Sequence, residues 1–246
     1  MNNTKTVLIL GSGSDMAKAI ARNFAKNHFS IQLAGRDMEK MERLKQDLIN
    51  RYDATVSSHH FDAVDFGSHN FLIDSLPVLP DIIIYAAGYM ADQKEAQLDW
   101  KLTSYMIDAN YSGAVSIINK FALLFENRGS GTIAGISSVA GDRGRASNYI
   151  YGSTKAALTT YLSGLRNSLF KKNVQVLTIK PGFVYTKMTQ HINLPPKLTS
   201  NTEYVAEKIF KAIMEKKNTI YIKPIWRWIM QIIRFIPEPI FKRGNL

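Results

Sequence analysis

Short runs of consecutive apolar residues alternate along this chain with longer segments in which apolar residues recur every three or four positions. The apolar runs predict buried strands at residues 6–10, 30–34, 55–61, 81–86, 131–136, 174–179 and 219–222. The periodic segments predict helices near residues 15–27, 37–51, 98–126, 149–171 and 201–216. Because strands that alternate with helices form βαβ units, the pattern predicts an α/β fold: a doubly wound, seven-stranded parallel sheet with helices on both faces.

The pattern also predicts a single domain over residues 1–246, since it contains no internal repeat, linker or low-complexity run. Residues 223–246 extend beyond the last predicted strand as a C-terminal extension. The sequence Ser200-Asn201-Thr202-Glu203 has the composition of a capping box, which is predicted to open the helix at 201–216.

Composition narrows the class of protein. The 246 residues are 46% apolar and 21% charged, which is typical of a folded globular chain. The chain has no cysteine, which excludes disulfides and thiolate metal sites, and its histidines show no metal-binding spacing, so no metal site is predicted. The first apolar run is too short for a signal peptide, and no stretch is long enough to span a bilayer. We therefore expect a cytoplasmic protein.

Positive charge is concentrated at the C-terminal end. The formal net charge is +11, and residues 216–246 hold seven Lys or Arg and one Glu, a net +6. Such an end suits nucleic acid or an anionic membrane surface. The middle of the chain has no zinc-finger spacing and no basic–aromatic RNA motif, so nucleic acid is not an expected partner.

The clearest chemical signal is the segment from Tyr151 to Lys155. A spacing of four residues places the phenol and the ammonium on one face of a helix. A neighbouring ammonium favours the phenolate, so it is expected to lower the tyrosine pKa from near 10 towards neutral pH, where proton transfer is efficient. The spacing alone is a weak signal, because a Tyr and a Lys four residues apart also occur by chance.

Three further features surround that pair. Ser138 follows the predicted strand at 131–136, Asn110 lies in a helical segment, and the first strand leads into Gly11-Ser12-Gly13-Ser14. Together with Tyr151 and Lys155, these residues resemble the short-chain dehydrogenase/reductase family from residue 6 to about residue 188. The resemblance implies a Rossmann fold and an oxidoreductase that binds a nicotinamide cofactor.

The resemblance also implies a role for each catalytic side chain. Tyr151 is the acid/base, Ser138 hydrogen-bonds the substrate oxygen, and Lys155 lowers the tyrosine pKa and holds the nicotinamide ribose. Asn110 maintains a water-mediated proton path to Lys155. Ser137 competes with Ser138, although the thirteen-residue interval to Tyr151 favours Ser138. Tyr149 competes with Tyr151 but lacks a lysine one helical turn later.

The first strand-to-helix turn is predicted to hold the cofactor pyrophosphate, because helix N-termini favour anions. Of the family's GxxxGxG pattern only Gly11 is kept, and Asp15 adds a carboxylate that can cap the helix but lies near phosphates. After the second strand, Gly35 stands where an NAD-selecting acid is expected and Arg36 follows, so NADP(H) is favoured over NAD(H). The remaining positions that match the family's cofactor contacts are Ser14, Met16, Asp62, Ala86, Ala87, Gly88, Pro181, Gly182, Val184 and Thr186.

Three loop features bear on the substrate and on the nicotinamide. The loop after Ser138 carries Arg143 and Arg145, which suit an anionic substrate or are solvated loop charges. The segment Met188–Thr199 lies where the family keeps a substrate lid. Gly182 is expected to let the backbone approach the nicotinamide closely.

The C-terminal extension contains an amphipathic segment from residue 225 to residue 236. Arg227, Gln231 and Arg234 lie opposite an apolar face that is formed by Ile225, Trp228, Ile229, Ile232 and Ile236. This composition fits an interfacial membrane anchor, and it also fits a helix that packs on a neighbouring subunit of a homo-dimer or homo-tetramer.

The tail and the loop after Ser138 resemble those of bacterial decaprenylphosphoryl-2-keto-pentose reductases. This second resemblance implies a keto-sugar on a polyprenyl phosphate, a role in polysaccharide biosynthesis, and peripheral membrane contact through residues 225–242.

These patterns predict an NADP(H)-dependent oxidoreductase that transfers hydride to or from a carbonyl or secondary alcohol of a small-molecule or lipid-linked substrate. Two alternatives stay open: a 3-oxoacyl thioester reductase of the same family, and a cofactor-sensing regulatory protein that kept the fold. All four catalytic positions are filled, which favours an enzyme.

Overall fold

A computed structural model of the chain describes residues 4–190 and 193–244. The strands are β1 Thr6–Leu10, β2 Ser30–Gly35, β3 Val56–His60, β4 Ile82–Tyr85, β5 Gly131–Ile136, β6 Val174–Pro181, β7 Phe183–Val184, β8 Thr199–Ser200 and β9 Thr219–Ile222. The helices are α1 Asp15–Lys26, α2 Met38–Tyr52, α3 His69–Ser75, α4 Gln93–Leu98, α5 Trp100–Ile107, α6 Gly113–Arg128, α7 Tyr149–Leu169, α8 Thr202–Met214, α9 Ile225–Phe235 and α10 Glu238–Phe241.

Seven parallel strands form one sheet in the order β3-β2-β1-β4-β5-β6-β9, and β7 pairs with β8 separately. The strand order reverses between β1 and β4. The carboxyl ends of these two strands therefore flank the crevice in which folds of this kind bind ligands. The predicted doubly wound, seven-stranded sheet is confirmed.

The central strands are buried on both faces. Along β1, Val7 and Ile9 contact the layer formed by α1, α2 and α8, whereas Leu8 and Leu10 contact the layer formed by α6 and α7. All four side chains are 0% exposed. A strand covered on both sides needs an apolar residue at every position, which is why β1 appears in the sequence as an uninterrupted apolar run.

Two helix boundaries differ from the prediction. The helix expected at 98–126 begins at Trp100, where Asp99 caps α5 by accepting a hydrogen bond from Lys101 N at 2.8 Å. A π-helical turn, Asp108–Ser112, separates α5 from α6, and the residues before Asp99 form the short helix α4. The predicted capping box is off by one residue. Asn201 is the cap of α8 and accepts from Tyr204 N at 2.8 Å, while Ser200 belongs to β8.

Within residues 4–190 and 193–244, no helix combines the length and the hydropathy that crossing a bilayer requires.

Candidate active site

The turn after β1 meets the loop after β4 at the point where the strand order reverses. Gly11 has a φ of +89°, and a Cβ at this position would lie 2.5 Å from the backbone nitrogen of Ala87. Only glycine fits such a backbone. The N–H groups of Gly11 and Ser12 both donate to the Ala34 carbonyl, at 2.8 and 2.9 Å, which ties the turn to the end of β2. Because α1 begins here, the unpaired N–H groups of its first turn are available to an anion.

Ser14, and not Asp15, caps α1. The Ser14 hydroxyl accepts from Ala17 N at 3.1 Å, whereas the Asp15 carboxylate accepts from the N–H of Lys187 at 2.8 Å. The suggestion that Asp15 caps this helix is therefore wrong. Its carboxylate connects the first turn to the segment after β7 that carries Thr186.

Arg36 lies exposed at the end of β2. Its Nη1 donates to the Tyr105 hydroxyl at 2.7 Å, and the Tyr105 ring packs edge-to-face on Tyr89. The nearby acid, Asp37, caps α2 and pairs with Lys40 Nζ at 2.6 Å. These contacts with Lys40 lower the pKa of the Asp37 carboxyl. A guanidinium is thus held beside the end of β2, while the adjacent carboxylate is engaged elsewhere.

The predicted positions after β3 and β4 lie along the same sheet edge. The Asp62 carboxylate accepts from Val64 N at 3.1 Å. Ala86 is buried, and its N–H donates to the Leu10 carbonyl at 2.8 Å, which continues the pairing of β4 with β1.

Ser138, Tyr151 and Lys155 meet where β5 ends beside α7. The Ser138 side chain is close enough to the Tyr151 phenol to lower its pKa, and Lys155 Nζ lies 5.6 Å from the centre of the Tyr151 ring. Lys155 Nζ also donates to the Ile136 carbonyl at 3.1 Å. The two side chains expected on one face of a helix therefore do lie together, beside the predicted serine.

The structure separates Ser138 and Tyr151 from their competitors. Ser137 is 2% exposed, and its hydroxyl donates to the Lys155 carbonyl at 2.8 Å and contacts the Thr159 hydroxyl at 2.7 Å. Ser137 thus fixes α7 to β5. Tyr149 is 46% exposed and donates to Gln97 on α4 at 2.8 Å, so it points away from Lys155.

The electrostatics of the Tyr151–Lys155 pair differ from the expectation. Burial raises the pKa of Tyr151 to about 12, and the Ser138 side chain offsets part of the rise. Burial lowers the pKa of Lys155 to about 8. The predicted lowering of the tyrosine pKa by Lys155 does not appear in this structure, because desolvation dominates and the lowering that offsets it comes from Ser138. A phenol that stays protonated is suited to donating a proton.

Asn110 lies in a single π-helical turn, Asp108–Ser112, between α5 and α6. Such turns occur often at functional sites. The Asn110 amide donates to the Tyr89 carbonyl at 2.8 Å and accepts from the Tyr89 N–H at 2.9 Å. A Cβ at Gly88 would lie 2.9 Å from Asn110 Oδ1 and 3.4 Å from Lys155 Nζ. Glycine at position 88 thus allows the loop after β4 to pass between these two side chains.

The group that comes closest to Gly182 is a side chain of the protein, the indole of Trp226. A Cβ at Gly182 would overlap the indole of Trp226 in α9. Trp226 is 4% exposed, its Nε1 donates to the Leu198 carbonyl at 3.1 Å, and its ring packs edge-to-face on Phe183. Trp226 is therefore the neighbour that requires glycine at this position, while the contact of Gly182 with the nicotinamide stays a prediction. Pro181, Val184 and Thr186 remain predicted cofactor contacts of this loop.

Arg143 does not point to a substrate. Its Nη1 donates to the carbonyls of Ile233 and Ile236 at 2.5 and 2.6 Å, its Nη2 pairs with Glu238 at 2.9 Å, and its guanidinium lies 3.6 Å from the centre of the Phe241 ring. It therefore caps the carboxyl end of α9, where the helix dipole favours a cation. The suggestion that Arg143 binds an anionic substrate is wrong.

Buried polar atoms without partners gather around the start of α7. Among the described residues, no hydrogen-bond partner is found for Arg145 Nε, Asn148 Oδ1 or Gln93 Nε2. Gln93 Oε1 accepts a hydrogen bond at 3.1 Å from the N–H of Ile150, the residue that precedes Tyr151. Since each unpaired buried polar atom costs about 1–3 kcal/mol, a cluster of them favours a polar ligand.

A buried ion pair joins Lys180 and Asp142, whose side chains are 8% and 2% exposed. Tyr221 donates to the same carboxylate at 2.8 Å. These contacts join the loop after Ser138, the end of β6 and β9. No local pattern links residues so far apart in the chain, so no sequence signal pointed to them.

The predicted lid, Met188–Thr199, is described except for residues 191 and 192, which lie outside the described residues. Its last part forms a short helical turn, Pro196–Leu198, and then β8. Because Leu198 accepts from Trp226, α9 holds the end of this segment.

Known proteins match both the sequence and the fold. Residues 5–197 match the model of the short chain dehydrogenase family. An uncharacterized oxidoreductase of Mycobacterium tuberculosis is 30% identical over 240 residues, which cover 96% of each chain. An uncharacterized oxidoreductase of Streptomyces coelicolor is 29% identical over 244 residues, or 97% of this chain and 95% of that one.

Two solved structures share the fold. ElxO with NADP bound has a TM-score of 0.81 at 22% identity, covering 92% of this chain and 99% of that chain. A short-chain dehydrogenase from Sphingobium yanoikuyae in complex with NADPH has a TM-score of 0.82 at 20% identity, covering 95% and 97% of the two chains.

Proposed function

This chain belongs to the short-chain dehydrogenase family and is an NAD(P)-dependent oxidoreductase, and we propose that it uses NADP(H) to reduce a ketone on a polar, sugar-like substrate. One observation carries the proposal: Tyr151 lies beside Ser138 and next to Lys155, whose Nζ is 5.6 Å from the centre of the tyrosine ring. That arrangement can deliver a proton to an oxygen on which negative charge develops.

The residues around the reversal of strand order fit a dinucleotide. The narrow turn at Gly11 and the start of α1 suit a pyrophosphate, with the backbone of Ser14, Asp15 and Met16 around it. Arg36 is suited to the 2′-phosphate that distinguishes NADP from NAD, since a guanidinium forms bidentate contacts with phosphate. NADP- and NADPH-bound relatives of the same fold agree with this preference. When bound, the cofactor supplies or accepts the hydride.

The proposed roles of the side chains follow from their contacts. As the carbonyl oxygen gains charge, Tyr151 transfers its phenol proton to that oxygen, and Ser138 donates a hydrogen bond to it. Lys155 then stabilises the phenolate and orients the nicotinamide ribose. Asn110, which lies with Lys155 around Gly88, is proposed to keep the proton path that restores the phenol.

The substrate proposal rests on the unpaired polar atoms near Tyr151. These atoms are buried, so a hydroxylated substrate would pair with Gln93, Arg145 and Asn148 once their side chains turn towards it, whereas the acyl chain of a 3-oxoacyl thioester would leave them unpaired. We therefore favour a keto-sugar over the thioester. The finer proposal is a keto-sugar carried on a lipid phosphate at the inner face of a membrane, as in polysaccharide biosynthesis. Cytoplasmic location and assembly into a homo-oligomer also remain predictions.

Oxidation of NADPH across a ketone panel tests this function. We expect turnover with keto-sugars and little with 3-oxoacyl thioesters. The substitution Gln93→Ala should raise KM for keto-sugars but not for a small unsubstituted ketone, while Gln97→Ala on the same helix serves as the matched control. Preference for thioesters would refute the substrate class. Tight NADPH binding with no turnover on any ketone would favour the regulatory protein.

A further inference from the structure

Helix α9 has two apolar faces, and the protein covers one of them. Trp226 and Met230 are 4% and 0% exposed, and they pack with Phe183, Leu198 and Tyr221. This face fastens the helix to the loop after β6 and to the end of the lid segment. The apolar face predicted from the sequence left out Trp226 and Met230. Three of its residues, Ile225, Trp228 and Ile232, lie on the exposed side of the helix instead.

The other face of α9 is an exposed apolar stripe. At spacings of three, seven and ten residues, Ile225, Trp228, Ile232 and Phe235 lie on one side of the helix and are 50%, 63%, 67% and 78% exposed. Ile240 of α10 is 65% exposed as well. Among the described residues, no side chain buries these five, which together we call the α9 stripe.

Basic residues are concentrated in the segment that carries the α9 stripe. Within residues 223–243 they are Lys223, Arg227, Arg234, Lys242 and Arg243. Residues 216–246 hold one acid, Glu238, and its carboxylate is paired with Arg143 at 2.9 Å. The segment that carries the stripe is therefore strongly positive.

The positive charge of this segment decides between two binding partners for the α9 stripe, a second copy of the chain and a membrane. A second copy packed symmetrically on the α9 stripe would bring two clusters of net +6 together, which like-charge repulsion opposes. An anionic bilayer complements the charge, and Trp, Ile and Phe side chains partition into its interface. We infer that the α9 stripe binds the surface of an anionic membrane, with α9 lying in the plane of the interface.

The biological purpose of this membrane contact rests on the proposed function, in which the substrate is carried on a lipid. The contact itself does not, because binding to a bilayer needs no catalysis. The covered face of α9 touches Gly182 and Leu198, and Arg143 from the loop after Ser138 caps its end. Only the thickness of α9 would thus separate a membrane bound by the stripe from two loops that border the candidate active site. That position suits a substrate whose carrier stays in the bilayer.

Sedimentation of the full chain with vesicles tests the inference. The vesicles are made of phosphatidylcholine alone or with phosphatidylglycerol, at about 0.05 M and about 0.5 M salt. Binding should require the anionic lipid and weaken at high salt. Trp228→Glu should abolish it, and Phe71→Glu, which alters a residue 76% exposed on α3, should not. The double substitution Arg227→Gln and Arg234→Gln should reduce binding by about 5-fold for each lost charge.

Two further measurements separate the outcomes. Tyr151→Phe should sediment like the wild type, so vesicle binding can be observed even if the proposed chemistry is wrong. Likewise, NADPH-dependent turnover can be observed even if the chain does not bind vesicles. Light scattering reports the subunit number of Trp228→Glu. No binding of the wild-type chain to anionic vesicles at low salt, or a loss of subunits in Trp228→Glu, would overturn the inference, and the second result would assign the stripe to another copy of the chain.

Discussion

Trp226 and Trp228 lie two residues apart on α9, yet their substitution by alanine should change the stability of the protein by very different amounts. Trp226 is 4% exposed and fills the space above Gly182, whereas Trp228 is 63% exposed on the α9 stripe. We expect Trp226→Ala to lower the free energy of unfolding strongly and Trp228→Ala to change it little.

The magnitude follows from the buried area. A buried tryptophan removes about 200 Å² from water, which at about 25 cal/mol per Å² corresponds to about 5 kcal/mol. Residual compactness of the unfolded chain reduces this to about 3–4 kcal/mol. The Leu198 carbonyl also loses its donor. For the exposed Trp228 the change should stay within about 0.5 kcal/mol.

Urea unfolding followed by circular dichroism measures both values, with Trp228→Ala as the matched control. A second readout is the KM for NADPH, which should rise in Trp226→Ala because the loop that carries Val184 and Thr186 loses its cover. Equal stabilities of the two variants, or a loss below about 1 kcal/mol in Trp226→Ala, would refute the docking of α9 through Trp226.

Three further predictions concern the cofactor site and its charges. Arg36→Ala should raise the Kd of NADPH more than that of NADH, measured by fluorescence titration, and equal losses would remove the 2′-phosphate assignment. Gly11→Ala should destabilise the protein and abolish NADPH binding, since its Cβ would lie 2.5 Å from Ala87 N, whereas Gly13→Ala has no atom within 4 Å and should fold and bind as the wild type. Burial lowers the pKa of Lys155 from 10.5 to about 8, so between these values the unfolded chain holds more protons and stability should rise with pH. The rise in urea midpoint over that interval should be smaller in Lys155→Met, and an unchanged slope would contradict the shift.

Much of the fold could be predicted because its signals are local. An uninterrupted apolar run such as residues 131–136 identifies a strand buried on both faces, and the structure gives the same bounds for β5. Boundaries set by one hydrogen bond were harder to predict. The start of α5 is set by the single side-chain cap of Asp99 and its end by one π-helical turn, whereas the sequence predicted one helix over 98–126.

In the candidate site, too, the features that depend on local sequence could be predicted and those that depend on tertiary contacts could not. The spacing of Tyr151 and Lys155 is local, and the structure brings the pair together with Ser138. The pKa of Tyr151 depends on how completely the surroundings exclude water, which no sequence pattern reports. The partners of Gly182 and Arg143 lie in α9, so the roles of both residues depended on a tertiary contact that the local sequence did not contain.

The central claim is that Tyr151 gives its proton to the substrate oxygen. The most direct test is a single-turnover measurement of NADPH oxidation by Tyr151→Phe with a ketone that the wild type reduces, together with a titration of NADPH binding. If the phenol acts in proton transfer and not in ground-state binding, the Kd of NADPH should stay within about 3-fold of the wild type while the rate falls by about 100-fold or more. A rate within a few-fold of the wild type would show that another group supplies the proton.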